Sequence, residues 1–130
     1  MKCTRCGALA QTDLPWRNAA FCPDCYFEFF SRQVRKAVKE RGMFAPGDRL
    51  LVALSGGKDS LSLMLELARL GHDVTGLHLD LGLGESSVQA RTAVADFCAT
   101  HGLPWRVVEL AADGLAIPAV KKAVKRRPVC

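Results

Sequence analysis

The sequence predicts an α/β protein, in which an open, mostly parallel sheet with helices on both faces follows a small N-terminal zinc module. Two observations predict this fold class. Apolar segments of strand length alternate with helical patterns in the order β-α-β-α-β, which is typical of a parallel sheet. Four cysteines in two close pairs precede them. Hydrophobic residues make up 49% of the chain, which excludes a disordered or collagen-like protein.

The paired cysteines predict a metal-binding module over residues 1–25. Cys3 and Cys6 form one CxxC motif, and Cys22 and Cys25 form another after a gap of fifteen residues. Two such motifs supply the four thiolates of a tetrahedral zinc site, and a site with four protein ligands is structural. The alternative is two disulfides in a secreted protein. However, no signal peptide and no apolar run near the ~20 residues of a membrane span is present, so we expect a cytoplasmic protein.

A basic helix is predicted next, over residues 26–42, and with the turn at 45–48 it forms a linker over residues 26–47. Gly42 is a typical helix C-terminal stop. The apolar positions, which we expect to pack in the core, are Phe27, Phe30, Val34, Ala37 and Val38. The opposite face can bind nucleic acid or a membrane surface, and it carries Arg32, Arg35, Lys36, Lys39 and Arg41.

The alternating elements follow this linker. Residues 49–54 are predicted as a strand, because the run after Arg49 is continuously apolar, as expected for a buried parallel strand. The remaining predictions are a helix over 61–70, a strand over 73–81, a helix that Ser86 or Ser87 caps and that runs to about His101, a strand over 105–110 and a helix over 115–127. Cys98 lies in the apolar pattern of its helix, so we expect it to be a buried small hydrophobe.

The loop Ser55-Gly-Gly-Lys-Asp-Ser60 is the segment that carries chemistry. It joins the first strand of the sheet to a helix, which is where open α/β sheets bind ligands. Its glycines let backbone N–H groups face an anion at the helix N-terminus. Lys58 can supply a charge, and Asp59 can hold magnesium or orient the loop. A Walker loop is excluded because Val52 and Asp59 stand where it needs Gly and Ser or Thr, and no dinucleotide-binding GxGxxG is present.

This loop resembles the PP-loop of ATP pyrophosphatases, whose general form is SGGxDS. The resemblance implies an adenine nucleotide alpha hydrolase-like fold, with residues 48–130 as the N-terminal part of a PP-loop ATP-binding domain. It also implies that ATP, with Mg²⁺, adenylates a carbonyl oxygen while the loop holds the departing pyrophosphate. Lys58 and Asp59 are then the candidate catalytic residues. The candidate ATP-binding residues are Ala53, Ser55, Gly56, Gly57, Lys58, Asp59, Ser60 and Leu79.

The double CxxC motif before this domain resembles the tRNA 2-thiouridine synthetases of the TtuA and Ncs type, related to TtcA. The segment Leu77 to Glu85 is similar to the second-strand segment of that group, which places Ala53 and Leu79 beside adenosine. The run Lys125-Arg-Arg-Pro-Val-Cys130 resembles the segment before their second CxxC. Cys130 is thus a candidate ligand of a [4Fe–4S] cluster. Members are more than twice as long, so we expect the N-terminal portion of a larger enzyme.

The resemblance implies that ATP adenylates the uridine C2 carbonyl before sulfur replaces its oxygen. The expected partners are tRNA, a sulfur-carrier protein or other sulfur donor, and a second copy in a homodimer. Net charge is +4 over residues 1–50, −4 over 51–120 and +5 over 121–130, so basic flanks can meet tRNA. Candidate tRNA-binding residues are Arg32, Arg35, Lys36, Lys39, Lys121, Lys122, Lys125, Arg126 and Arg127. Alternatives are a tRNA-lysidine or 2-thiocytidine synthetase, or a non-catalytic zinc-ribbon module that binds ATP or RNA.

Overall fold

The computed structural model describes residues 1–115 and residue 118. The chain forms two compact units, Met1–Ala45 and a second unit that begins at Pro46. Several sequence predictions lie outside the described residues. They concern the helix over 115–127 beyond its first residues, the cations Lys121, Lys122, Lys125, Arg126 and Arg127, and the candidate cluster ligand Cys130.

The first unit is built on a short antiparallel hairpin. Strand β1 (Thr12–Leu14) pairs with β2 (Ala19–Phe21), and a 3-10 turn, Pro15–Arg17, joins them. The N-terminal arm adds an isolated bridge between Lys2 and Leu9. The sequence analysis did not predict this hairpin. Three-residue strands are too short to show an alternating hydrophobic pattern.

Helix α1 (Pro23–Arg41) follows the hairpin directly. It begins three residues before the predicted start, because Pro23 has no backbone N–H to lose at the first helical position. As a result, Cys25 lies in the first turn of the helix. At the other end, Gly42 adopts a left-handed conformation with φ of 55° and ends the helix as predicted.

The face of α1 that packs on the hairpin differs from the predicted one. Tyr26 and Phe29 lie against the buried cluster of the first unit, and the Phe29 ring stacks on Phe21 with 5.2 Å between centroids. The Arg17 guanidinium lies 5.3 Å from the centroid of the same Phe29 ring. Phe27 is 55% exposed. The prediction that Phe27 packs in the core is therefore wrong, because the hairpin covers the neighbouring edge of the helix.

The second unit alternates strands and helices, which confirms the predicted α/β class. Its elements are β3 (Arg49–Ala53), α2 (Lys58–Arg69), β4 (Asp73–Asp80), α3 (Glu85–His101), β5 (Trp105–Glu109) and a 3-10 turn, Leu110–Asp113. The three strands are parallel in the order β3-β4-β5.

None of the helices in the described part of the chain is long and apolar enough to cross a membrane.

Helices α2 and α3 cover one face of this sheet. Alternate strand residues face them and are buried, among them Val52, Val74 and His78. Gly76 lies on the same face, where an added methyl group would lie 3.1 Å from the Met64 sulfur of α2. Within the described residues, the other face exposes large apolar side chains. They are Leu51, Leu79 and Val108.

Candidate functional site

The loop of residues 55–60 lies at the carboxyl end of β3 and leads into α2. Its two serines hold it closed: the Gly57 N–H donates to Ser55 Oγ over 3.3 Å, and the Ser60 hydroxyl donates to Gly57 O over 3.2 Å. The two hydroxyl oxygens lie 3.3 Å apart. Gly57 caps α2 without a side-chain hydrogen bond. The first N–H groups of α2 can therefore bind an anion.

Gly56 is the residue whose environment is most restrictive in this loop. Its φ of 87° lies in the left-handed region, and an added methyl group would lie 2.8 Å from the backbone oxygen of Ala90 in α3. Other side chains are thus excluded both by the backbone conformation and by the close approach of α3. The loop therefore lies directly against α3 at Gly56.

Lys58 and Asp59 stand in the first turn of α2 and are almost fully exposed. The Lys58 ammonium lies 2.9 Å from the Asp59 carboxylate. An ion pair at this exposure contributes little stability, so both side chains remain available to a ligand. The predicted catalytic pair thus lies at the N-terminus of α2, where it places one positive and one negative side chain beside the loop.

Ala53 and Leu79, the predicted adenosine-side residues, belong to neighbouring strands. Ala53 pairs with Leu77, so Ala53 and Leu79 lie on the same, exposed face of the sheet. Leu79 also lines a cavity of about 220 Å³ together with Ser55 of the loop, whereas Ala53 is not among its lining residues. Only one of the two residues therefore borders a cavity next to the loop.

Four polar residues whose contacts the sequence analysis missed lie at the carboxyl ends of the strands or pair with them: His78, Asp80, Arg91 and Glu109. His78 Nδ1 lies 2.7 Å from the backbone oxygen of Leu54, the residue before the loop. Arg91 of α3 lies 2.5 Å from the Glu109 carboxylate and 3.9 Å from that of Asp80. The arginine therefore ties α3 to the carboxyl ends of β4 and β5. Alternation along β4 could have placed His78 on the buried face, but no local pattern predicts the Arg91 pairs.

The predicted cap of α3 is also corrected. Gly84, with φ of 66°, precedes the first helical residue, Glu85, and no side chain caps the helix. Ser87 lies within the first turn, where its hydroxyl oxygen accepts a hydrogen bond of 2.8 Å from the Leu83 N–H. The prediction that Ser86 or Ser87 caps the helix is wrong, because the positive φ of Gly84 reverses the chain before either serine.

The four N-terminal cysteines form one cluster, as predicted. The sulfur atoms of Cys3, Cys6, Cys22 and Cys25 all lie within 4.8 Å of one another, and those of Cys6 and Cys22 are 3.6 Å apart. Zinc–sulfur bonds of about 2.3 Å in a tetrahedron require sulfur–sulfur distances of about 3.8 Å. The cluster therefore fits a four-coordinate metal ion. Because all four ligands come from the protein, no coordination position remains for a substrate.

Backbone hydrogen bonds shape this cluster. The Gly7 N–H donates to Cys3 O over 2.9 Å with a left-handed φ of 77° at Gly7, and the Tyr26 N–H donates to Cys22 O over 2.9 Å. Each CxxC motif therefore closes a turn that brings its two sulfur atoms together. The Thr4 N–H also donates to Ala20 O over 2.8 Å, which joins the first motif to the hairpin.

The thiol pKa values differ within the cluster. Burial raises the pKa of Cys3, but hydrogen bonds from the backbone of Cys22, Cys6 and Arg5 outweigh burial, and the pKa falls to about 6. Burial raises the pKa of Cys25 to about 12, and contact with the sulfur atoms of the other three cysteines contributes to the rise. Thiolates this close repel one another unless a cation lies among them, which is the chemistry of a metal ligand set.

The predicted basic face of α1 is exposed along its length. Arg32, Arg35, Lys36 and Lys39 are all exposed, and Lys36 lies 3.7 Å from Glu40 one turn later. Single i,i+4 pairs of this kind are worth only a few tenths of a kcal/mol, about 0.3–0.5. The cationic face can therefore exchange such contacts for phosphate groups.

Residues 27–126 match the family described as the PP-loop domain, and the chain belongs to that family. Among curated proteins, it is 39% identical over 123 residues to the tRNA-5-methyluridine(54) 2-sulfurtransferase of Thermus thermophilus, covering 94% of this chain and 38% of that protein. The Thermotoga maritima protein of the same name is 33% identical over 132 residues, covering 100% of this chain and 43% of that protein. The chain therefore spans about 40% of the length of these relatives.

A solved structure shares the fold. The U34-tRNA thiolase NcsA from Methanococcus maripaludis, solved with its [4Fe-4S] cluster, superposes with a TM-score of 0.72 at 24% identity. The match covers 84% of this chain and 38% of NcsA. At this identity the likeness is one of fold.

Proposed function

We propose that this chain belongs to an ATP-dependent tRNA 2-thiouridine synthetase. The observation that carries the proposal is the loop of residues 55–60, which places open backbone N–H groups, Lys58 and Asp59 at one helix N-terminus. Its support is the similarity to relatives named as tRNA 2-sulfurtransferases over almost the whole chain. The cytoplasm is the expected compartment, as in the name of a relative from Anopheles gambiae, cytoplasmic tRNA 2-thiolation protein 1.

The proposed reaction has two substitution steps, one at the α-phosphorus of ATP and one at the uridine C2. The C2 oxygen of a tRNA uridine attacks the α-phosphorus of ATP, and pyrophosphate leaves with the electrons of the broken bond. A sulfide-level sulfur nucleophile from a carrier protein or other donor then adds to C2, and AMP leaves with the former carbonyl oxygen. Where a carrier delivers the sulfur as a thiocarboxylate, water then cleaves the acyl–sulfur bond, so that the carrier leaves as a carboxylate and the sulfur stays on C2. Adenylation is needed because the C2 oxygen of uridine is a poor leaving group. The whole reaction exchanges oxygen for sulfur without a change of redox state when the donor supplies sulfide-level sulfur.

The loop residues act on the pyrophosphate in this proposal. The N–H groups of Gly56 and of the first turn of α2 donate to phosphate oxygens, and Lys58 neutralises the phosphate charge. The hydroxyls of Ser55 and Ser60 donate to phosphate oxygens when they exchange their hydrogen bonds within the loop for the ligand. Preorganised donors of this kind stabilise charge that develops on a leaving group. Asp59 is the candidate ligand of Mg²⁺, which shares the phosphate charge. Ala53 and Leu79 remain the proposed adenosine-side residues.

The other predicted sites complete the proposal. Cys3, Cys6, Cys22 and Cys25 hold a structural Zn²⁺, since their spacing fits a tetrahedral thiolate site. The basic face of α1 and the cations of residues 121–127 contact tRNA phosphates. Cys130 is a candidate ligand of a cluster like the one that NcsA carries. A homodimer is part of the same proposal.

The proposed function is tested by ATP binding and by tRNA composition. Calorimetry with Ser55→Ala should show weakened ATP binding, whereas the matched control Ser62→Ala, on the exposed side of α2, should bind as the wild type does. Mass spectrometry of tRNA nucleosides should show loss of a 2-thiouridine when the gene is deleted. Unchanged affinity of the Ser55 variant contradicts the loop assignment, and unchanged tRNA nucleosides contradict the reaction.

A further inference from the structure

Leu54 is the last residue before the loop, and strand β4 fixes it in three ways. Its N–H donates to Leu77 O over 2.8 Å. Its carbonyl oxygen lies 2.7 Å from Nδ1 of His78. Its side chain, which is buried, packs over Gly76, where an added methyl group would overlap it. Three consecutive residues of β4 therefore determine where the chain leaves the sheet.

The bond from His78 also sets the orientation of the first N–H group of the loop. The carbonyl of Leu54 and the N–H of Ser55 belong to one planar peptide unit and point in opposite directions. The Ser55 N–H donates to the Ser60 hydroxyl oxygen over 3.3 Å, and that hydroxyl donates to Gly57 O over 3.2 Å. Turning the Leu54 carbonyl would therefore turn the Ser55 N–H away from the residue that closes the loop.

Packing alone does not explain a histidine at position 78. The residue is only 3% exposed and lies on the helix-covered face of β4. Leu54 O only accepts, so Nδ1 carries the proton and Nε2 of the neutral ring is an acceptor. Nε2 is buried and has no hydrogen-bond partner among the described residues, and an unsatisfied buried acceptor lowers stability. A leucine would fill a similar volume without that cost, so the Nδ1–H is the group that a leucine could not replace.

We propose that His78 is a positioning residue for the loop: through Leu54 O, its Nδ1–H holds residues 55–60 in the geometry that binds the pyrophosphate group of ATP. This inference rests on the proposed function of the loop. His78 acts through Leu54 and needs no contact with the ligand. Because Gly56 lies against Ala90 of α3, β4 fixes the beginning of the loop and α3 fixes its middle. The loop thus needs little reorganisation when an anion binds.

The test compares two variants of His78 that differ from histidine in opposite ways. His78→Asn keeps an N–H group near the position of Nδ1 but has a smaller side chain. His78→Leu keeps the volume but has no donor. Calorimetric titration of the full chain with magnesium pyrophosphate measures the affinity of each variant, and urea denaturation measures its stability.

The positioning role predicts a different order for affinity than for packing. The Leu variant should bind pyrophosphate about two- to tenfold more weakly than the wild type, because one hydrogen bond no longer holds the binding geometry. The Asn variant should bind as the wild type does, even though its smaller side chain lowers stability. Val74→Ala is the matched control, because Val74 is buried on the same face of β4, and it should lose stability while it keeps wild-type affinity.

The outcomes separate this inference from the proposed function. Equal affinity of the wild type and the Leu variant overturns the role of His78 and leaves the proposed function intact. Weaker binding by the Asn variant or by the Val74 control also overturns it, because packing would then account for the effect. If the Leu variant does not fold, the Asn variant decides by the same criterion. A wild-type chain that does not bind pyrophosphate contradicts the proposed function, and the positioning role fails with it.

Discussion

Gly56 illustrates how single residues in this loop are constrained from two directions. Its left-handed backbone could be suspected from the sequence, since a glycine pair between a strand and a helix is typical of an anion-binding turn. The close approach of Ala90 O could not, because the contact joins the loop to α3, more than thirty residues further along the chain. The neighbouring Ser55 and Ser60 form their hydrogen bonds within the loop itself, so their proximity follows from their spacing.

The two constraints on Gly56 can be separated by substitution. Gly56→Ala should lower the free energy of unfolding more than Gly71→Ala does, by about 1–3 kcal/mol, the usual cost of overpacking. Gly71 is a matched control because its φ is also 87° and an added methyl group there meets nothing within 4 Å. Urea denaturation of both variants measures the difference. Equal losses of stability in the two variants would show that α3 moves away from the added methyl group without a measurable cost in free energy.

At the scale of elements, α1 shows that a helical pattern predicts a helix better than it predicts the buried face. The helix and its glycine stop were predicted within three residues of the observed ends. The packed edge was predicted incorrectly, because Phe27, Phe29 and Phe30 are all apolar and periodicity alone admits more than one stripe. The hairpin selects Tyr26 and Phe29.

Two phenylalanines of α1 give a direct test of that packing. Phe29→Ala should destabilise the first unit by about 1–3 kcal/mol, because it removes the stack on Phe21 and the contact with Arg17. Phe27→Ala should cost less than Phe29→Ala, because Phe27 is 55% exposed and buries less apolar area than Phe29. Thermal unfolding followed by circular dichroism compares them. A larger loss in the Phe27 variant would reverse the assignment of the buried face.

The cysteine cluster is also a property of several elements together. Purified protein should contain about one zinc per chain, because the thiolate set fits a single tetrahedral ion. Cys22→Ser should lose this zinc, and the first unit should lose stability with it, since binding free energy of a structural zinc contributes to folding. Cys98→Ser is the matched control, because Cys98 is buried in α3, outside the cluster. Elemental analysis measures the zinc content of the wild type and of both variants. A wild-type protein without zinc, or loss of zinc in both variants, would contradict the proposed zinc site.

On the scale of the whole molecule, charge is divided between segments. The first fifty residues carry a net charge of +4 and the central seventy carry −4. The exposed cations of α1 account for much of the first figure. The simplest explanation is that the basic segment forms a surface that contacts nucleic-acid phosphates without reading their base sequence.

Affinity for tRNA should therefore depend on salt through α1. Replacing Arg32, Arg35 and Lys39 with Gln should weaken tRNA binding and make the slope of log affinity against log salt less negative, by about 0.7–0.9 for each lost phosphate contact. The control replaces Lys2, Arg69 and Arg106 with Gln, which changes the net charge by the same amount. Filter binding between low and high salt measures both slopes. The same change of slope in the control would show that net charge alone is responsible.

The sequence alone determined the α/β class, the order of strands and helices in the second unit, the position of the loop at the end of β3 and the grouping of four cysteines. Each of these depends on residues close together in the chain: a strand run into a glycine turn, or two CxxC motifs whose turns bring their own sulfur atoms together. Tertiary structure alone decided the buried edge of α1, the contact of Ala90 with Gly56, the bond of His78 to Leu54 and the cavity beside them. Those contacts join distant segments, and local periodicity describes which side chains can share a face but not which neighbour covers it.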